Sequence, residues 1–228
     1  MKVNVNGVSL YYEKSGVGRP LIMLHGNGET HNIFDKAIPL LAARFTVYAP
    51  DSRGHGESSP VESYHYDDMM EDVRAFIEAL ALEKPVLYGF SDGGILGLLL
   101  ASKYPTLLSG LIVSGANTRP AGIRDGWLKF FTLLNRRVHD PKIEMMLAEP
   151  HITAEMLQGI PTPTLVLAGG HDMVKRSDTE WIADKLPNST LRILPLHGHG
   201  SYIVHRRKIA KLILDFDDRT LQSEPASL

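Results

Sequence analysis

"PVLYGFSDGGILGLLLASKY", Pro85 to Tyr104, is the stretch on which the fold turns. It opens with a short apolar run after a proline, the signature of a buried strand. It closes with "GILGLLLASKY", an apolar segment of helical character. Between them stands Gly89-Phe90-Ser91-Asp92-Gly93, a G-x-S-x-G pattern in a strand–turn–helix setting. So tight a turn needs small residues at Gly89 and Gly93, where helix and strand approach closely. It drives the Ser91 hydroxyl out over the sheet, while the N–H groups at the helix start point to the same spot. A serine in a glycine-rich turn is the plain alternative. The flanking strand and helix favour a nucleophile.

The same rhythm extends outward. "PLIMLHG", "FTVYAPD", "LSGLIVSG", "PTLVLAGG" and "STLRILPL" are apolar runs bounded by Gly and Pro. Such runs suit strands of a parallel sheet covered on both faces. Helical spacing separates them, as in Asp67–Leu80, where Val73, Phe76, Ile77 and Leu80 fall on one face, and again in Ile209, Leu212, Ile213 and Phe216. Before them, Lys2–Asn6 and Ser9–Lys14 alternate around Asn6-Gly7, the pattern of a hairpin. The expected class is α/β, with a mostly parallel central sheet, an N-terminal antiparallel hairpin and helices on both faces. Residues 1–228 read as a single domain. No strand is expected between Asn117 and Pro161, so 118–160 reads as a short helical cap inserted between two strands. The tail, 219–228, reads as frayed.

Composition bounds the function. The 228 residues are 43% hydrophobic and 22% charged, with a net charge of −2. Nothing in that balance suggests a nucleic-acid or membrane partner. The absence of cysteine excludes disulfides, thiolate zinc sites and a cysteine nucleophile. The longest apolar runs, such as "ILGLLLA", are too short to span a bilayer. A cytoplasmic location is the expectation.

Ligands of an open α/β sheet sit beyond the carboxyl ends of its strands. A serine nucleophile needs a histidine base and a carboxylate to orient it. After "PTLVLAGG" comes His171-Asp172, and after "STLRILPL" come His197 and His199. Asp178 is the nearest rival carboxylate, more simply read as a helix cap. His199, set between glycines, has the freer approach, but the residues alone leave His197 open. A tetrahedral oxyanion needs N–H donors. The backbone amide of Asp92 is one candidate, and that of Asn27, in the loop after "PLIMLHG", is the other. His25 reads as structural. The pair His197-x-His199 lacks the further ligands a metal site requires.

Taken in order, "LHGNG", "DSRGHGES", "GFSDGG", "PTLVLAGGHD" and "GHG" resemble the α/β-hydrolase-fold serine hydrolases, from about Asn6 to about Phe216. The resemblance implies Ser91 as nucleophile, Asp172 as acid and His199 as base. It implies an oxyanion hole of the Asn27 and Asp92 backbone amides, no metal and no cofactor. In many relatives a glutamate stands five residues after the final histidine; here that position is Val204. A small-molecule ester is the expected substrate. C–C bond, amide or thioester hydrolysis, acyl transfer and ligand sensing are the alternatives. Trp127, Phe130, Phe131, Met145 and Met146, in the expected cap, are candidates for lining a substrate pocket. Arg119, Arg124, Lys129, Arg136 and Arg137 make the first part of that cap basic, which suggests either a solvated face or a preference for acidic substrates. The Asp92 carboxylate, beside the serine, suggests the opposite preference if it faces the pocket.

Overall fold

The computed structural model describes residues 1–221. The hairpin is present as β1 (Lys2–Val5) and β2 (Val8–Ser15), paired antiparallel across Asn6-Gly7. Then follow β3 (Arg19–Leu24), α1 (Ile38–Leu41), β4 (Phe45–Pro50), α2 (Tyr66–Ala79), β5 (Val86–Phe90), α3 (Asp92–Lys103) and β6 (Gly110–Ser114). Three helices come next: α4 (Asp125–Val138), α5 (Pro141–Ala148) and α6 (Ala154–Gln158). The chain closes with β7 (Thr164–His171), α7 (Arg176–Lys185), β8 (Ser189–Gly198) and α8 (Lys208–Phe216). A π-helical turn, Asp217–Leu221, extends α8, so the tail begins as helix; residues 222–228 of the expected frayed tail lie outside the described residues.

The eight strands form one sheet in the order β1-β2-β4-β3-β5-β6-β7-β8. β2 pairs antiparallel with β1 and β4, and every later pair is parallel. β5 is buried throughout, which is why Val86–Phe90 shows no apolar–polar alternation. Helices cover both faces. Met70, Val73, Phe76 and Ile77 of α2 and Ile95, Leu98 and Leu99 of α3 pack in one apolar layer. Leu41 of α1 and Ile209, Leu212 and Ile213 of α8 pack in the other.

This order fixes where the site lies. From β3 the chain steps to β4 on one side, then returns to β5 on the other. The loop after β3 and the turn after β5 therefore open side by side at a switch point, where such sheets bind ligands. α4, α5 and α6 all lie between β6 and β7 in the chain, and α4 and α5 reach over that end with Phe131, Ile143 and Met146. Asp178 is not a helix cap. It lies buried within α7 and its carboxylate accepts both the N–H and the hydroxyl of Thr118, at 2.8 Å each, anchoring the start of the helical segment. The Ser201 hydroxyl accepts the Gly198 N–H at 3.0 Å, and α8 begins at Lys208.

Candidate active site

Ser91 sits at φ 52°, ψ −115°, a conformation that side chains other than glycine rarely adopt. The fold holds it there from both sides. Its N–H donates to the Ser114 carbonyl at 2.8 Å, and the Gly93 N–H donates to the His25 carbonyl at 3.2 Å. A Cβ on Gly93 would lie 2.4 Å from the Leu24 carbonyl oxygen, so only glycine lets α3 start this close to β3.

Three side chains from three loops meet there. The Ser91 Oγ lies 3.1 Å from Nε2 of His199, and Nδ1 of His199 lies 2.6 Å from Oδ1 of Asp172. The carboxylate can only accept, so Nδ1 carries the proton and Nε2 is left as an acceptor for the serine hydroxyl. Asp172 is buried and also accepts the N–H groups of Val174, at 3.0 Å, and Gly169, at 3.2 Å. Burial pushes its pKa up, but the His199 hydrogen bond, the His199 charge and the two amides outweigh it and hold it below the usual carboxylate value. His197 points elsewhere, to the Ser201 hydroxyl at 3.1 Å and the Lys208 amine at 2.9 Å. The two imidazoles of His197-Gly198-His199 thus share no partner.

Asn27 lines the same cavity as Ser91, and Asp92 follows the serine directly. Among the described residues neither backbone amide is engaged by a protein acceptor, and Asp92 opens α3, so no earlier turn supplies one. The loop bearing Asn27 is braced from below. His55 accepts the Gly28 N–H at 3.1 Å, and His25 accepts the Ser52 N–H at 3.0 Å while donating to the Gly26 carbonyl. Burial and the neighbouring His55 lower the His25 pKa to about 4, so it stays neutral. Arg53 pairs with Asp72 of α2 through two bonds of 2.6 Å, which secures the loop after β4 that carries His55.

The Asp92 carboxylate turns away from the cavity. It accepts the Tyr66 hydroxyl at 2.8 Å and the Asn27 side-chain amide at 3.0 Å. Burial raises its pKa to about 6, against the lowering effect of these two donors.

Above Ser91 lies a cavity of about 140 Å³, lined among others by Glu29, Phe131, Ile143, Met146 and Met173. Of the five expected pocket residues, Phe131 and Met146 reach it. Met145 instead faces the other way and is buried in the apolar layer under α3, because adjacent helical positions point apart. Trp127 and Phe130 stand on the outer side of α4, 48% and 51% exposed. Among the described residues neither Arg nor Lys lines the cavity, so the basic residues of α4 do not reach it. Glu29 is the main residue that sequence reasoning did not assign. Its carboxylate accepts the Gly26 N–H at 3.0 Å, and burial raises its pKa. Gly115 is another. It sits at φ 62°, and a Cβ there would lie 2.7 Å from Cε1 of His199.

Residues 19–138 match the model of the alpha/beta hydrolase fold family. The chain belongs to the α/β-hydrolase fold family. It is similar to human serine hydrolase BPHL, 29% identical over 94% of this chain and 85% of that protein. It is also similar to a 2-hydroxy-6-oxo-6-(2'-aminophenyl)hexa-2,4-dienoic acid hydrolase of Metapseudomonas resinovorans, 26% identical over 95% of this chain and 90% of that one. Among solved structures, a thermophilic esterase from Thermogutta terrifontis superposes with a TM-score of 0.78 at 21% identity, covering 96% of this chain and 98% of the esterase; that likeness shows the fold. The expected fold class holds, and the protein is a member of a hydrolase family. No helix among the described residues is long and apolar enough to cross a membrane.

Proposed function

We propose that the protein is a serine hydrolase of carboxylic esters with small acyl groups, working through an acyl-enzyme on Ser91. The hydrogen-bonded chain from Asp172 through His199 to Ser91 carries this reading. The Ser91 oxygen attacks the acyl carbonyl carbon, and Nε2 of His199 takes the hydroxyl proton. The carbonyl oxygen becomes an oxyanion facing the amides of Asn27 and Asp92. As the intermediate collapses, the alkoxide leaves with the proton from His199. A water then attacks the acyl carbon, its proton passing to His199, and the carboxylic acid is released as Ser91 regains its proton. Asp172 holds the imidazole in the tautomer this requires and stabilises the imidazolium.

The cavity supports the substrate class. About 140 Å³ accommodates a short acyl group rather than a long chain, and its apolar walls of Phe131, Met146 and Ile143 suit a hydrocarbon. With Glu29 in the wall and no Arg or Lys, it favours esters without a carboxylate. That weighs against the second reading, hydrolysis of an unsaturated acid, for which the similarity to the dienoic acid hydrolase speaks. Hydrolysis of a short-chain aryl ester by wild type and by Ser91→Ala tests the proposal. Loss of turnover in the variant is expected; equal rates would reject it.

A further inference from the structure

The net charge of −2 conceals a strongly basic helix with a bare apolar stripe. Of the 14 residues of α4, none is buried. Trp127, Phe130 and Leu133 recur every three residues and are 48%, 51% and 50% exposed, with Val138 at 52%. The Trp127 and Phe130 rings pack edge to face at 5.9 Å, and both touch Phe131, which reaches the cavity. Lys129, Arg136 and Arg137 are exposed on the same helix, and among the described residues no carboxylate pairs with them. The one acidic residue of α4, Asp125, is paired with Lys175.

Large exposed aromatic side chains in a row, flanked by unpaired cations, are the composition of a helix that lies in a lipid interface. A second copy of this chain is a poorer occupant. Two such faces laid together would set Lys129, Arg136 and Arg137 of one copy against the same cations of the other. An anionic bilayer meets both needs, with headgroups for the cations and an acyl boundary for the rings. We propose that α4 docks the protein reversibly on anionic lipid surfaces, with Trp127, Phe130 and Leu133 inserted. This does not depend on the reading of Ser91.

The test uses the full chain carrying Trp181→Phe, which leaves Trp127 as the sole tryptophan. It is mixed with vesicles of phosphatidylcholine alone or of phosphatidylcholine with phosphatidylglycerol. Sedimentation with the anionic vesicles should exceed that with neutral ones by about tenfold and fall in high salt. Trp127 emission should shift to the blue only with the anionic vesicles. Arg136→Glu with Arg137→Glu, and separately Leu133→Ser, should each weaken the association by about tenfold. Both lie outside the cavity and should leave hydrolysis of a dissolved ester unchanged, which shows that they fold. No association, or equal association with both vesicle types, would overturn the proposal. So would a dimer in sedimentation analysis that Leu133→Ser dissolves, because it would assign the face to a second copy.

Discussion

The side-chain amide of Asn27 donates to the backbone carbonyl of Lys142 at 3.2 Å. The same nitrogen donates to Asp92 at 3.0 Å, so one amide ties the loop after β3 to α5 and to the turn that carries Ser91. Removing it leaves the buried Asp92 carboxylate with Tyr66 as its remaining side-chain donor. Asn27→Ala is therefore expected to lower unfolding stability by about 1–3 kcal/mol in urea titration. It should also lower kcat for a short-chain ester by about tenfold, because the backbone amide at the same residue loses its brace. Wild-type stability and rate would show that this tie carries neither burden.

Gly115 tests the placement of the base without touching it. A Cβ there would come within 2.7 Å of the His199 ring, in a backbone conformation at φ 62° that already disfavours alanine. Gly115→Ala should fold yet lose about 100-fold in kcat/KM, as expected for a misplacement of about 1 Å. A crystal structure of the variant should show the imbidazole displaced from Ser91. Full activity would mean that His199 tolerates a position the proposed relay forbids.

Glu29 is expected to bias the site against like-charged substrates. Its carboxylate lines the cavity with no opposing Arg or Lys. Wild type should hydrolyse neutral esters faster than matched carboxylated ones. Glu29→Gln should narrow that gap by about tenfold through removal of one like charge at close range. An unchanged ratio would remove Glu29 from substrate selection.

Two buried groups give opposing pH dependences of stability. His25 falls from an ordinary 6.5 to about 4 in the fold, so its contribution is present above pH 6.5 and is lost as pH falls toward 4. Asp92 rises from 3.8 to about 6, so its contribution is present below pH 3.8 and is lost as pH rises through 6. Each contributes a slope of at most about 1.4 kcal/mol per pH unit. Urea unfolding between pH 4 and 6.5 should show a steeper acid loss in Asp92→Asn and a shallower one in His25→Gln. Identical profiles in all three proteins would contradict these assignments.

The strands, the turn at Ser91 and the paired loops were legible because each rests on local chemistry. Val86–Phe90 is apolar at every position, and Gly89 and Gly93 flank the serine whatever lies elsewhere. The helical segment between β6 and β7 was legible as helix, but not the direction of its faces. Met145 and Met146 are neighbours in sequence, yet one packs into the apolar layer under α3 and the other lines the cavity. Only the tertiary placement of α5 decides which. Asp178 reads as a cap in the sequence because its partner, Thr118, is 60 residues away. Gly115 carries no motif; its role arises from a histidine on another strand's loop.

Acylation of Ser91 with His199 as its base is the step on which the proposed hydrolysis stands. The most direct measurement is intact-mass and peptide analysis after brief reaction with a fluorophosphonate, comparing wild type, Ser91→Ala, His199→Ala and His197→Ala. One adduct is expected on Ser91 in wild type and His197→Ala. None should form in Ser91→Ala, and His199→Ala should label more slowly by about 1,000-fold or more. An adduct on another residue, or labelling of His199→Ala at the wild-type rate, would contradict the account.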